Sequence, residues 1–124
     1  MPTYDDQNIF ARILRGEMPN DTVAETDHTL AFRDIRPQAP VHILVIPKGK
    51  YVSYDDFAAN APDAEIVDFH RTLARVAAQA GVSLDKGKGF RAITNAGENG
   101  VQEVPHFHMH ILGGAPMGRM ICRD

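Results

Sequence analysis

One short segment near the C-terminal end constrains this chain more than any other: His106-Phe107-His108-Met109-His110-Ile111-Leu112. Imidazoles alternate with apolar side chains. In a β-strand successive side chains point to opposite faces. Read as a strand from His106 to Leu112, the segment puts His106, His108, His110 and Leu112 on one face and Phe107, Met109 and Ile111 on the other. The apolar face needs a cover, and Pro62 to Ala80 supplies one. There Ile66, Phe69, His70, Leu73, Val76, Ala77 and Ala80 form a single helical stripe, and Gly81 is the expected stop. His70, on that stripe, is expected to be packed or hydrogen-bonded within the helix layer.

The remaining elements are shorter. Asn8 to Arg15 reads as a helix with Ile9, Phe10 and Ile13 facing inward and Gly16 just past its end. Thr22 to Glu25 and His28 to Arg33 read as two strands around a turn at Thr26-Asp27. Val41 to Ile46 is apolar almost throughout, apart from His42, and is expected to be a central strand covered on both faces. Phe90 to Asn95 reads as another strand, and Ala96 to Val104 as a loop rich in Gly and Asn. Pro105 stands where proline is tolerated, at a strand's start. Strands joined by short loops, with one short N-terminal helix and one long amphipathic helix, give an α+β class with an antiparallel sheet of about five strands.

The 124 residues are expected to form one domain, 1–124, because no repeat, linker or low-complexity tract divides them. A formal charge of -3 with ordinary apolar content argues against a nucleic-acid binder, which carries a basic excess, and against global disorder. The single cysteine, Cys122, excludes an intrachain disulfide and a Cys-pair zinc site. The polar, acidic stretch Met1 to Asp6 is not a secretory signal. The longest strongly apolar run, Ile43 to Ile46, is far too short to span a membrane. The expected location is cytoplasmic.

Three imidazoles on one strand face, each roughly 6.5 to 7 Å from the next, are hard to explain by packing, since each buried one needs a partner. Neighbouring cations depress one another's pKa, so at least one should be neutral near pH 7 and able to attack or to ligate. Two chemistries fit that spacing. One is a metal site, since His-x-His on a strand suits zinc. The other is metal-free covalent catalysis, with one imidazole attacking while the others hold charge. A strand lays its rings in a line, whereas a tetrahedral ion needs convergent ligands, and Glu103 has the wrong parity to join the histidine face. Both points favour the metal-free reading.

The same segment, followed by Gly113-Gly114, resembles the histidine triad family, and within it the HINT-like branch of nucleoside phosphoramidases. The resemblance covers nearly the whole chain. It includes Ile9-Phe10 with Ile13-Leu14-Arg15-Gly16-Glu17-Met18-Pro19, then Ala31-Phe32-Arg33-Asp34-Ile35-Arg36-Pro37-Gln38-Ala39-Pro40-Val41-His42 running on into Ile43-Leu44-Val45-Ile46-Pro47-Lys48. It continues through Asn95-Ala96-Gly97 and Gly100-Val101-Gln102-Glu103-Val104-Pro105. What it implies is a HIT-like fold with a nucleotide cleft beside the last strand.

By this resemblance His108 is the nucleophile on the α-phosphorus of a purine nucleoside 5′-monophosphate derivative, such as adenosine 5′-phosphoramidate, through a nucleotidyl-histidine. His110 would contact the phosphate and assist leaving-group departure. His106 would orient the neighbouring imidazole, with His42 packed behind it in a hydrogen-bond network. Asn95 and the backbone N–H groups of Glu103 and Val104 would hold phosphate oxygens, Asp34 would accept from the ribose hydroxyls, and Ile9, Phe10, Phe32 and Ile35 would sandwich the base. A homodimer is implied, with no cofactor, no metal and no nucleic-acid or membrane partner.

Two departures matter. Many relatives carry Ser or Thr where this chain has Glu103, whose charge would oppose a phosphate. Some bear an N-terminal Cys-x-x-Cys zinc site, whereas Asp5 to Phe10 contains no cysteine. The tail from Gly113 to Asp124 is expected to shape substrate choice. The alternative functions are a nucleotide-binding regulatory module with incidental slow catalysis, a dinucleoside polyphosphate hydrolase, and a metal-dependent hydrolase using the three histidines. His110 argues against the nucleotidyl transferase branch, which usually has Gln there. Without the resemblance, Asp34 reads as a turn former, His42 as a satisfied core histidine, Asn95 as a cap or turn residue, and Ile9, Phe10, Phe32 and Ile35 as core.

Overall fold

A computed structural model describes residues 1–121; Cys122 and the rest of the tail lie outside the described residues. The order is α1 (Ile9–Leu14), β1 (Thr22–Glu25), β2 (Thr29–Arg33), β3 (Val41–Pro47), α2 (Tyr54–Asn60), α3 (Asp63–Gln79), β4 (Phe90–Ile93) and β5 (Met109–Gly113). The strands form a five-stranded antiparallel sheet in the order β1-β2-β3-β5-β4. This is the expected α+β architecture, with the short N-terminal helix and the long helix in place.

The two faces of β3 carry different cores. Ile43 and Val45 look toward α2 and α3, into a cluster with Ala31, Phe57, Phe69, Val76, Ala77, Phe107 and Ile111. Leu44 and Ile46 look the other way, into a second cluster with Phe10, Leu30 and Phe32 beneath α1. β3 is therefore central and covered on both sides, as its near-continuous apolar run requires. Phe57, Phe69 and Phe107 pack with ring centroids 4.9 to 5.2 Å apart, close enough for favourable aromatic pairing beyond area burial. Asp68 of α3 accepts from Thr26 Oγ1 (2.5 Å) and Thr29 Oγ1 (2.6 Å), tying the helix to the β1–β2 turn.

Helix ends follow sequence chemistry. Asn8 caps α1, its Oδ1 accepting from the Ala11 N–H at 2.9 Å, which satisfies one otherwise orphaned donor. Gly81, at φ +76°, follows the C-cap of α3 and takes a conformation that glycine adopts without a Cβ penalty.

Several boundaries differ from expectation. The last strand begins at Met109, not His106. Over residues 106–108 the backbone is held by other partners: His106 N–H donates to Val104 O, Phe107 N–H to Tyr51 O, and Thr94 Oγ1 to His108 O. β4 ends at Ile93, two residues short of Asn95, and β2 starts at Thr29. The helix α2 was not foreseen. His70 is exposed, and Thr72 occupies the buried stripe beside Phe69 and Val76. Ile9 does not face inward but is exposed. Among the described residues no helix is long and apolar enough to cross a membrane.

Candidate active site

The register of the sheet assembles the site. His110 of β5 lies between Leu44 of β3 and Ile93 of β4, and His42 pairs with Leu112 one step along. These side chains share the sheet face opposite α3. Beyond the strand ends, Asp34 follows β2 and the loop 95–104 follows β4. Together they wall a cleft of about 550 Å³ lined by Phe10, Asp34, Gln38, His42, Leu44, Ile93, Asn95, Gly100, Val101, Glu103, Val104, His108, His110, Leu112 and Ile121. A larger hollow of about 700 Å³ lies by the outer edge of β4, lined among others by Lys88, Phe90, Arg91 and Met117. It holds none of the histidines.

Hydrogen bonding fixes the protonation of each ring. A carbonyl oxygen only accepts, so His108 Nδ1–H must donate to His106 O at 2.7 Å. In the neutral ring that leaves Nε2 with a bare lone pair. His42 Nδ1 accepts from the Gln38 N–H at 3.0 Å. Its Nε2–H therefore donates to His110 Nδ1 at 2.9 Å, and neutral His110 carries its own proton on Nε2. One imidazole of the cleft is thus an acceptor and the next a donor. Their centroids are 5.2 Å apart. Phe10 meets His108 edge-on at 4.9 Å and shields one side of it.

Every ring in this group is driven toward neutrality, chiefly by desolvation. Burial lowers the pKa of His108, opposed by its bond to the His106 carbonyl and by Asp34 and Glu103. Burial brings His110 down to about 4, helped by His108 and His42 and opposed by Asp34. His42 is lowered by burial against the pull of Asp34, whose carboxylate lies 3.4 Å from His42 Nε2. His106 is pushed down to about 4, again by burial.

His106 does not stand in a row with the other two. It is wholly buried and outside the cleft lining. Its Nε2–H donates to Pro47 O at 2.8 Å, and Nδ1 meets the Tyr4 hydroxyl at 2.6 Å. Its backbone carbonyl accepts from the neighbouring imidazole. His42 packs against His110 rather than behind His106.

The other named residues fall into two groups. Asp34, Asn95, Glu103, Val104 and Phe10 line the cleft. Among the described residues the Asn95 side chain and the amides of Glu103 and Val104 make no hydrogen bond, so they are free to meet a ligand. Asp34 also accepts from the Arg36 N–H at 2.8 Å, which is the turn-forming role its position suggests. Phe32 is buried beneath Phe10, with centroids 5.6 Å apart. Ile9 and Ile35 are exposed, Ile35 at 87%, and none of these three lines the cleft.

Gln38 and Tyr4 were not anticipated. Gln38 acts through its main chain, and Tyr4 reaches His106 across 102 positions, a contact without a local sequence signal. A metal would not find the three triad histidines convergent. The candidate donors that converge are one atom each from Asp34, His42 and His110, all within 4.8 Å of one another.

The molecule is of the class in which an antiparallel sheet, backed by helices, presents two neutral imidazoles to a polar cleft. Residues 15–117 match the HIT domain family, and the chain belongs to that family. It is 54% identical over 121 residues to an uncharacterised HIT-like protein of Azospirillum brasilense, covering 98% of this chain and 97% of that one. It is 42% identical over 117 residues to the purine nucleoside phosphoramidase of Escherichia coli K12, covering 94% and 95%. Among solved structures, a HIT family hydrolase from Clostridium thermocellum superposes with a TM-score of 0.83 at 35% identity, covering 95% of this chain and 99% of that one.

Proposed function

We propose that this protein hydrolyses P–N bonds of purine nucleoside 5′-monophosphate derivatives, with adenosine 5′-phosphoramidate as the model substrate. One observation carries the reading: the His106 carbonyl accepts a hydrogen bond from His108 Nδ1–H, leaving an unprotonated Nε2 in the wall of a cleft shared with His110. A neutral imidazole with a fixed lone pair is a competent nucleophile near pH 7.

Nε2 of His108 attacks the α-phosphorus. A bond forms from Nε2 to phosphorus, and the P–N bond breaks as the amine departs on a nitrogen protonated from solvent, leaving His108 as a nucleotidyl-imidazolium that keeps its Nδ1 proton. His110 Nε2–H donates to a phosphate oxygen and stabilises the developing charge. Water then attacks phosphorus, the P–Nε2 bond breaks, and the nucleoside monophosphate is released with a proton while His108 returns neutral. Asn95 and the free amides of Glu103 and Val104 hold the remaining oxygens. Asp34 accepts from the ribose hydroxyls. Phe10 forms the apolar wall for the base, with Phe32 supporting it from below. Asp34 and the base contacts position the reactants, which is most of what phosphoryl transfer demands.

Mass spectrometry of protein quenched during turnover should show a nucleoside monophosphate on His108. His108→Gly should abolish both adduct and turnover, with nucleotide binding retained. Turnover at the wild-type rate in that variant would remove His108 from the mechanism. Activity should survive a chelator, because the attacking nitrogen needs no ion.

A second reading, a nucleotide-binding module whose catalysis is slow, is favoured by Glu103, which brings an exposed carboxylate to the cleft. Glu103→Ser separates the two. A several-fold rise in kcat/KM on phosphoramidates supports the enzyme, and negligible rates in both forms support the binding module. The chain is also proposed to form a homodimer, since the outer edge of β4 is unpaired and Phe90 on it is exposed; sedimentation velocity reads this directly.

A further inference from the structure

The N-terminal arm ends on the reactive centre from behind. Tyr4 packs edge-on against the His106 ring at 5.6 Å and places its hydroxyl 2.6 Å from His106 Nδ1. The arm itself is tied down. Lys50 Nζ lies 2.7 Å from Asp6 Oδ1, Arg15 donates to Asp6 O, and the Asn8 side chain donates to Asp5 O.

We propose that Tyr4 is a positioning residue that, together with Pro47 O, anchors the His106 ring and, through it, the aim of the His108 ring. The proposal rests on His108 being the attacking group. His106 has two ring nitrogens and no exposure to water. Pro47 O can only accept, so Nε2 holds the proton. Nδ1 must then find a donor, and Tyr4 is the donor present. Burial raises the Tyr4 hydroxyl's pKa above its ordinary value, so the proton stays on oxygen at neutral pH.

The location gives that bond its importance. Residues 106–108 precede the ladder, which starts at Met109. The His106–Phe107 peptide, whose carbonyl accepts a hydrogen bond from His108 Nδ1–H, is held by Phe107 N–H on Tyr51 O and by whatever anchors the His106 side chain. That anchor is the pair Tyr4 and Pro47. With the Tyr4 hydroxyl gone, Nδ1 is left unpaired in a dry site, and the ring and its carbonyl lose one of the two contacts that hold them in place. Catalysis is sensitive to sub-ångström misplacement of a nucleophile. Binding of the nucleotide is not, because Tyr4 and His106 lie outside the cleft lining.

Tyr4→Phe keeps the packed ring and removes only the hydroxyl. Nitrogen-15 NMR of imidazole-labelled protein should show wild-type His106 protonated on Nε2 and His108 on Nδ1. In Tyr4→Phe the His106 Nδ1 signal should move to that of an acceptor nitrogen without a hydrogen bond, and the Nδ1-protonated fraction of His108 should fall. kcat on adenosine 5′-phosphoramidate should drop about 10-fold with KM unchanged. Unchanged His108 signals, or an unchanged kcat, would overturn the proposal. So would wild-type His106 carrying its proton on Nδ1, a measurement that needs no variant. If the wild-type protein turns over no phosphoramidate, the nucleophile reading fails separately, and the His108 signals alone decide the role of Tyr4.

Discussion

Mild acid should loosen this fold through its buried histidines. The perturbation is a drop from pH 7 to pH 5. His106 is wholly buried with a pKa near 4, against an ordinary 6.5. In that interval the unfolded chain takes up a proton at this position and the folded protein does not. A folded-state pKa below the unfolded one means that stability is full above about 6.5 and is lost as pH falls toward about 4. Integrating the proton difference gives a loss of about 2 kcal/mol from His106 between pH 7 and 5. His110, also brought to about 4, is half-buried at the cleft and adds a smaller share after solvent screening. His42 and His108 shift the same way. A loss of this size is a large fraction of the 5 to 15 kcal/mol of an ordinary domain. Urea unfolding at pH 7, 6 and 5 reads it directly: the midpoint should fall by about 1 to 2 M for a slope near 1.5 kcal/mol/M. His106→Gln should lose part of that pH dependence. An identical midpoint at pH 5 and pH 7, or a full slope in the Gln variant, would refute the claim that dry imidazoles govern acid stability here.

Three further outcomes follow from the same geometry. Phe107→Ala should cost about 3 to 5 kcal/mol, lowering Tm, because the ring is wholly buried against Phe57 and Phe69; a loss under about 1 kcal/mol would mean the cluster collapses onto the void. Val101→Gly should raise stability by about 1 kcal/mol, since Val101 sits at φ +56° where a β-branched side chain is strained; thermal unfolding checks it, and a lower Tm would show that the exposed side chain has a contact worth more than the strain. Asp34→Ala should raise KM about tenfold for a ribonucleotide substrate and leave a 2′,3′-dideoxy analogue unaffected; equal effects on both would remove Asp34 from the ribose.

The sheet and its core were legible because alternation is a local signal. Phe107 and Ile111 point to α3 and His108 and His110 to the cleft, as the period of two requires. α2 was not legible: Ser53 and the first-turn acids Asp55 and Asp56 mark a helix start, but Phe57 is its only buried residue, and one anchor has no period. The late start of β5 at Met109 comes from partners far away in the chain, chiefly Tyr51 and Thr94. The tautomer logic was hidden for the same reason. It depends on the register that sets His42 beside His110 and on a main-chain donor at Gln38. Parity gave the faces, but it could not say that His106 would turn beneath the arm while His108 stayed at the cleft.

The run from His106 to Ile111 is one residue thick, and its two sides answer to different masters. Hydrocarbon grips Phe107 and Ile111, and the same main chain carries the cleft imidazoles of His108 and His110 on its reverse. A methylene added to or removed from the gripping side therefore nudges the cleft side without touching it. Selection for altered turnover in this protein should yield hits among the phenylalanines that no substrate ever meets.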